Sequence, residues 1–292
     1  HNELSNEEWG RVPSKLVELG VPFAAVYGAE AITRLPALIE FIKGSVSANL
    51  PMTIITSGVG LSDKTIWELK DDGLRSISMS YDISTNDKYA AAKTVTAKRL
   101  LSRLSGFEDI ELIVTVTPKN LELLPMFIRE FGKEVWIHFD FQHPDRGQPN
   151  SKCRGDIFPL DISIVKNVLT EVLLLKRAGY KVHPSESAIS QLISRPSTVN
   201  KFDWNCTGGG FITLNSNGAT WGCDDFCPPE LENSFPILEY GVSWNWIDWL
   251  KEWGPSVTKC PGCVWITHIM AEDFSKLPRS EWSSQLFHHS KT

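Results

Sequence analysis

The chain has 292 residues, 42% hydrophobic and 22% charged, with 35 acidic against 29 basic side chains and a net charge of −6. At roughly 100 to 200 residues per domain, this length holds one large domain or one large and one small, with apolar side chains enough for a sizeable core, which excludes disordered and fibrous classes. The acidic balance excludes general nucleic-acid binding, and no run approaches the 18 or so apolar residues of a membrane-spanning helix, so no membrane partner is expected.

The polar N-terminus carries no secretory signal, and a cytoplasmic location is expected. The first residue is His1 rather than Met, which points to a segment removed or left out upstream.

Taken in chain order, Ser5 followed by Glu8 has the form of a capping box, in which each side chain satisfies the other residue's orphan backbone donor, and predicts a helix. Short β-branched runs then predict strands at Val21 to Tyr27 and Met52 to Thr56. A serine-capped helix is expected from Ser62 to Leu69, a strand from Ser76 to Tyr81 and a second serine-capped helix from Ser84 to Leu104. Strands at Ile110 to Val116 and Val135 to Phe141 follow. Ile164, Val168, Val172 and Leu175 then recur at helical spacing until Gly179 stops the run.

Strands alternating with helices, joined by right-handed crossovers, give an open doubly wound sheet or a barrel. The strand count favours part of a barrel, so the expected fold class is α/β, a partial parallel barrel of the (β/α)6 type over residues 1–184. The pattern changes after Pro184. Phe211 to Leu214, the turn residues Asn215 to Gly218 and Ala219 to Gly222 read as a hairpin, placing a small cysteine-rich domain over 185–274. Residues 275–292 read as a polar, loosely held tail.

The strongest chemical signal is cysteine spacing. Cys206 is followed by eleven residues, Gly218, four residues and Cys223, and a Cys-x-x-Cys pair follows at Cys260 and Cys263. A hairpin that brings the first two thiolates together, facing the later pair, presents four sulfurs suited to an iron-sulfur cluster or a structural zinc. The alternatives are buried small hydrophobes or disulfides, the latter rare in the cytosol. Cys227 reads as a free thiol near this site, and Cys153, in a Pro, Asn and Ser-rich loop, as incidental.

These cysteines resemble those of the radical S-adenosylmethionine enzymes with a C-terminal twitch domain, the short form of the SPASM domain, since no cysteine follows Cys263. The barrel agrees. Tyr27-Gly28-Ala29-Glu30-Ala31 is similar to the family's Gly-Gly-Glu-Pro motif, Thr56-Ser57-Gly58 to its Thr-Asn-Gly, and Ser80-Tyr81-Asp82 to its Ser-Leu-Asp, while Asn120 falls where an asparagine is common. The resemblance implies that Gly28, Ala29, Glu30, Ser57, Ser80, Asp82 and Asn120 bind S-adenosylmethionine, Glu30 facing its ammonium group. It implies further that Cys206, Cys223, Cys260 and Cys263 hold an auxiliary [4Fe-4S] cluster. Taken without the resemblance, Gly28 and Glu30 are an ordinary strand-to-helix turn.

The family's Cys-x3-Cys-x2-Cys motif, which holds the catalytic [4Fe-4S] cluster, is not in the sequence, because no cysteine precedes Cys153. With that motif upstream, the resemblance implies an enzyme that cleaves S-adenosylmethionine to a 5′-deoxyadenosyl radical, which takes hydrogen from a small-molecule or peptide substrate. An electron donor such as flavodoxin or ferredoxin would serve it. Without the motif, the alternative is a non-catalytic binding protein of the same fold with a structural four-cysteine zinc or iron-sulfur site.

Two further groups stand out. His138, Asp140 and His143 lie near the end of the last strong strand. The first two share a face, where they could position a substrate or shuttle a proton, or sit as hydrogen-bonded barrel residues. Trp246, Trp249 and Trp253, with Trp244 beside them, have the helical spacing of core packing rather than of a stacking platform.

Overall fold

The computed structural model describes residues 3–28, 30–83, 97–142, 159–201, 213–221 and 237–239. Six strands form one sheet in chain order: β1 (Ala24–Val26), β2 (Met52–Thr56), β3 (Ser76–Ser80), β4 (Asp109–Val116), β5 (Trp136–Phe141) and β6 (Val182–His183). Every neighbouring pair is parallel. Each connection therefore crosses over outside the sheet, and each carries a helix: α2 (Leu35–Ala48), α3 (Asp63–Asp71), α4 (97–104), α5 (Leu124–Phe131) and α6 (Ile162–Arg177). Helix α1 (Asn6–Glu18) precedes β1 and α7 (Glu186–Ser194) follows β6. Among the described residues β6 does not pair with β1, so the sheet is the expected α/β partial barrel, open at one side. No described helix is long and apolar enough to cross a membrane.

The strands place alternate residues on two different faces. Toward the helices point Ile54, Ile77, Leu112, Val114, Ile137 and Phe139, all completely buried in one continuous core with the inner faces of the helices. The opposite, inward face carries Thr53, Ser76, Ser78, Glu111, His138, Asp140 and His183. A polar lining on a parallel sheet sets the interior of this barrel apart from the apolar filling of an ordinary core.

Local chemistry explains the helix starts. Ser5 N–H donates to Glu8 Oε2 at 2.8 Å and Glu8 N–H to Ser5 Oγ at 3.3 Å, closing the expected capping box on α1. Ser62 caps α3 through Thr65 N–H, Asp161 caps α6 through Ser163 and Ile164 N–H, and Ser185 caps α7 through Ala188 N–H. Helices α1 and α2 cross in backbone contact: a Cβ on Gly44 would stand 2.2 Å from the Gly10 carbonyl oxygen.

β1 is shorter than expected because Pro22 has no N–H to give a ladder, and Gly28 at φ 109° bends the chain away after Tyr27. α2 and α5 go beyond the sequence expectation. Each opens with proline in its first turn and no side-chain cap, so neither shows the serine signal. β6 has only two residues, and α7 packs on α6, with Arg177 Nε donating to Glu186 Oε2 at 2.9 Å. Of the helix expected from Ser84, residues 84–96 lie outside the described residues, and 97–104 are helical.

The hairpin falls where expected. β7 (Thr213–Leu214) pairs antiparallel with β8 (Thr220–Trp221), and Gly218 takes φ 85° in the turn. It rests on the N-terminal segment, Leu4 N–H donating to the Ser216 carbonyl at 2.8 Å.

Candidate functional site

Parallel strands deliver their carboxyl ends to one edge, and the chain turns there carry the first group of polar residues. After β1, Gly28 adopts φ 109°, and among the described residues nothing beyond its chain neighbours lies within 4 Å of where its Cβ would be. Glu30 begins a short 3-10 turn and reaches across to the end of β2. Thr56 Oγ1 donates to Glu30 Oε1 at 2.7 Å, while Ser57 gives Glu30 Oε2 both its N–H at 3.0 Å and its hydroxyl at 2.5 Å.

Partial burial raises the Glu30 carboxyl, but the hydrogen bonds of Ser57, Thr56 and the Ile32 backbone outweigh it and hold the group below the usual carboxylate range. Glu30 is therefore an ionised, oriented carboxylate at the strand edge. The β2 turn is itself fixed. Gly58 N–H donates to Thr56 Oγ1 at 3.0 Å, and a Cβ on Gly58, at φ 81°, would stand 2.7 Å from Leu100 Cδ2.

Ser80 ends β3 and Asp82 follows it, both at the same edge, while Tyr81 between them stacks on Phe127 at 4.9 Å. Asn120 follows β4 and is buried. Its Oδ1 accepts from Thr117 N–H at 2.7 Å and its Nδ2 donates to the Thr115 carbonyl at 3.0 Å, which shapes the turn on which it sits. The structure thus joins Glu30 to Ser57 directly and sets Gly28, Ser80, Asp82 and Asn120 at the ends of the neighbouring strands. Ala29, Cys206, Cys223, Cys260 and Cys263 lie outside the described residues, as do His143, Cys153, Cys227 and the tryptophans from Trp244 to Trp253.

The second group lines the inward face deeper along the strands. Glu111 accepts from Ser78 Oγ at 2.8 Å and from His183 Nδ1 at 2.7 Å, and His138 Nδ1 stands 3.6 Å from the same carboxylate. His138 Nε2 in turn faces Asp140 Oδ2 at 3.5 Å.

Burial opposes charge on His138, yet its contacts with Asp140 and Glu111 prevail and raise its pKa to about 10. Burial likewise opposes charge on Glu111, but His138 and His183 pull its carboxyl far below the usual range. Burial lowers His183, more than its bond to Glu111 raises it, so the ionised pair is Glu111 with His138. The spacing of His138 and Asp140 singles them out in the sequence. Glu111 and His183 escape sequence reasoning, because only strand register brings them to His138.

No protein-family model matches the chain. Three curated relatives are named PqqA peptide cyclase. That of Rhodopseudomonas palustris is 32% identical over 132 residues, 43% of this chain and 35% of the relative. That of Bradyrhizobium diazoefficiens is 30% identical over 133 residues, 44% of this chain and 35% of the relative. That of Gluconobacter oxydans is 33% identical over 141 residues, 44% of this chain and 38% of the relative. The matched region spans little more than a third of these relatives' length.

Among solved structures, native anSMEcpe with bound AdoMet and Cp18Cys peptide superposes with a TM-score of 0.56 at 11% identity, covering 88% of this chain and 78% of that one. A histidine-tagged form of anSMEcpe with bound AdoMet gives 0.55 at 12% identity, covering 96% and 90%. At these identities the likeness is one of fold.

Proposed function

We propose that this chain, allied in fold and in sequence with the radical S-adenosylmethionine enzymes, binds S-adenosylmethionine at the carboxyl edge of β1 to β4 and holds a substrate against it in the barrel. One observation carries this: Glu30, two residues after Gly28, is an ionised carboxylate fixed by Thr56 and Ser57 at the strand edge. The methionyl end of S-adenosylmethionine presents a cationic amino group, and a carboxylate already held in place by Thr56 and Ser57 would make a charge-assisted contact with it at little further ordering cost. Gly28 and Ala29 would offer backbone to the same end. Ser57, Ser80 and Asp82 would supply side-chain polar groups along the edge, and Asn120 would fix the β4 turn that borders it.

Bound to a reduced [4Fe-4S] cluster, S-adenosylmethionine supplies a 5′-deoxyadenosyl radical that takes a hydrogen atom from a substrate. The catalytic cluster needs the Cys-x3-Cys-x2-Cys motif, which these 292 residues do not hold, so catalysis requires that motif upstream of His1. Cys206, Cys223, Cys260 and Cys263 would hold one auxiliary [4Fe-4S] cluster in a twitch-like unit over 185–274, after the barrel of 1–184 and before the polar tail of 275–292.

The substrate class we favour is a peptide. The name of the relatives, PqqA peptide cyclase, and the Cp18Cys peptide bound to anSMEcpe both point that way. The polar inward face, with Ser78, Glu111, His138 and Asp140, would meet the substrate's polar groups. A flavodoxin or ferredoxin would supply the electron.

The second reading is a binding protein of the same fold that does not turn S-adenosylmethionine over. Anaerobic reduction of the complete gene product with S-adenosylmethionine separates the two. Methionine and 5′-deoxyadenosine form if the enzyme reading holds, and binding without turnover supports the second.

A further inference from the structure

Three neighbouring strands converge on one point of the inward face. Glu111 of β4, His138 of β5 and His183 of β6 bring one ligand atom each into a group whose members all lie within 4.8 Å of one another. The parallel register sets His138 beside His183, and Glu111 sits one pleat repeat from Ile113, the partner of His138. We propose that Glu111, His138 and His183 form a site for one divalent first-row transition-metal ion, separate from any iron-sulfur cluster.

The surrounding side chains prepare these atoms for a metal. Ser78 Oγ donates to Glu111 Oε2, which turns Oε1 toward the two imidazoles. Asp140 Oδ2 stands 3.5 Å behind His138 on Nε2, while Nδ1 faces the site. A carboxylate behind the far nitrogen of a ligating histidine fixes the ring and raises its basicity. Trp136 stacks on the His183 ring at 4.9 Å and 23°, which limits its rotation.

Two imidazoles and a carboxylate make a nitrogen and oxygen donor set that suits zinc, cobalt or iron(II) better than magnesium or calcium. Around a tetrahedral zinc, with bonds of about 2.0–2.1 Å, ligand atoms stand about 3.3 Å apart. The His138 to Glu111 separation of 3.6 Å is close to that. The 2.7 Å bond between His183 and Glu111 opens by about 0.6 Å as the ion takes the place of the shared proton, and His138, an imidazolium in the metal-free protein, releases its Nδ1 proton to ligate.

All three ligands come from one face of one sheet, so the remaining coordination positions lie away from the sheet, on the interior side. Three protein ligands with an open position is the arrangement of an ion that takes water or substrate oxygen. The proposal stands independently of S-adenosylmethionine binding.

The test is zinc titration of the metal-free full chain, followed through the imidazole 15N resonances. Zinc held by cysteine thiolates does not move imidazole resonances directly, so the two kinds of site separate. Two imidazoles should shift together with one equivalent of zinc, and His183→Ala should take up one equivalent less than the wild type. Asp140→Asn keeps all three ligands and should bind that equivalent about 10 to 100 times more weakly, with unchanged stoichiometry. If His183→Ala does not fold, the wild-type imidazole response and the Asp140→Asn weakening decide the matter. A wild type whose imidazoles ignore zinc, or a folded His183→Ala with undiminished uptake, overturns the site.

Discussion

Ser57 grips Glu30 twice, through its backbone N–H at 3.0 Å and its hydroxyl at 2.5 Å, across the gap between the ends of β2 and β1. The pair turns two adjacent loops into one rigid edge and holds the Glu30 carboxyl ionised. Ser57→Ala removes the hydroxyl bond, so the Glu30 pKa should rise toward its ordinary value near 4.5. Side-chain 13C titration of Glu30 checks this, and an unchanged pKa would show that the hydroxyl contributes nothing.

The same pair has a pH signature. The folded pKa of Glu30 lies below its unfolded value near 4.5, so its stabilising contribution is complete above that value and is lost as the pH falls through the lower, folded one. The contribution is about 1 kcal/mol, modest because the edge is partly open to water. Urea unfolding of wild type and Glu30→Gln should show a gap near neutral pH that closes in acid. A gap that widened in acid would contradict the assignment.

The α1–α2 crossing predicts opposite signs for two glycines. A Cβ on Gly44 meets the Gly10 carbonyl oxygen at 2.2 Å, whereas a Cβ on Gly10 comes no closer than 3.5 Å to anything near it. Gly44→Ala should therefore destabilise the chain by about 1–3 kcal/mol, as forced overpacking does. Gly10→Ala should be neutral or stabilise by about 0.5–1 kcal/mol, because alanine loses less backbone freedom in a helix. Thermal melts of the two variants compare them directly.

On the inward face, Glu111→Ala takes one of two carboxylates from His138, which keeps Asp140, and one of two partners from the Ser78 hydroxyl, which keeps Thr53. Because Asp140 still compensates His138, the cost should stay below that of an orphaned buried charge, at about 1–3 kcal/mol, measured by urea unfolding of the metal-free protein. A loss under about 1 kcal/mol would mean that water reaches the cluster and replaces the carboxylate.

Much of the barrel was legible in the residues. Ser5 with Glu8 and Ser62 with Thr65 announce helix starts by side-chain chemistry, and the β-branched run at Met52–Thr56 and the alternation of Ile77 and Met79 with serines at Ser76–Ser80 announce strands. What escaped had no local signal. α2 and α5 begin on Leu-Pro without a side-chain cap, and β6 exists because β5 offers Ile137 and His138 as partners to Val182 and His183, a fact of tertiary pairing. The edge site was legible as motifs in the right order. Its gripping geometry was not, because Glu30 and Thr56 meet only after a crossover of 26 residues. The inward cluster was half visible: the spacing of His138 and Asp140 points to one face, but Glu111 and His183 join them through strand register alone.

The central claim is that Glu30 receives the ammonium group of S-adenosylmethionine. Its most direct test is calorimetric titration of S-adenosylmethionine into wild type and Glu30→Gln, with Glu8→Gln, in the α1 capping box, as the control. A charge-assisted hydrogen bond contributes about 1.5–3 kcal/mol, so Glu30→Gln should bind at least roughly tenfold more weakly while Glu8→Gln binds as the wild type does. Equal affinity for wild type and Glu30→Gln would contradict the account.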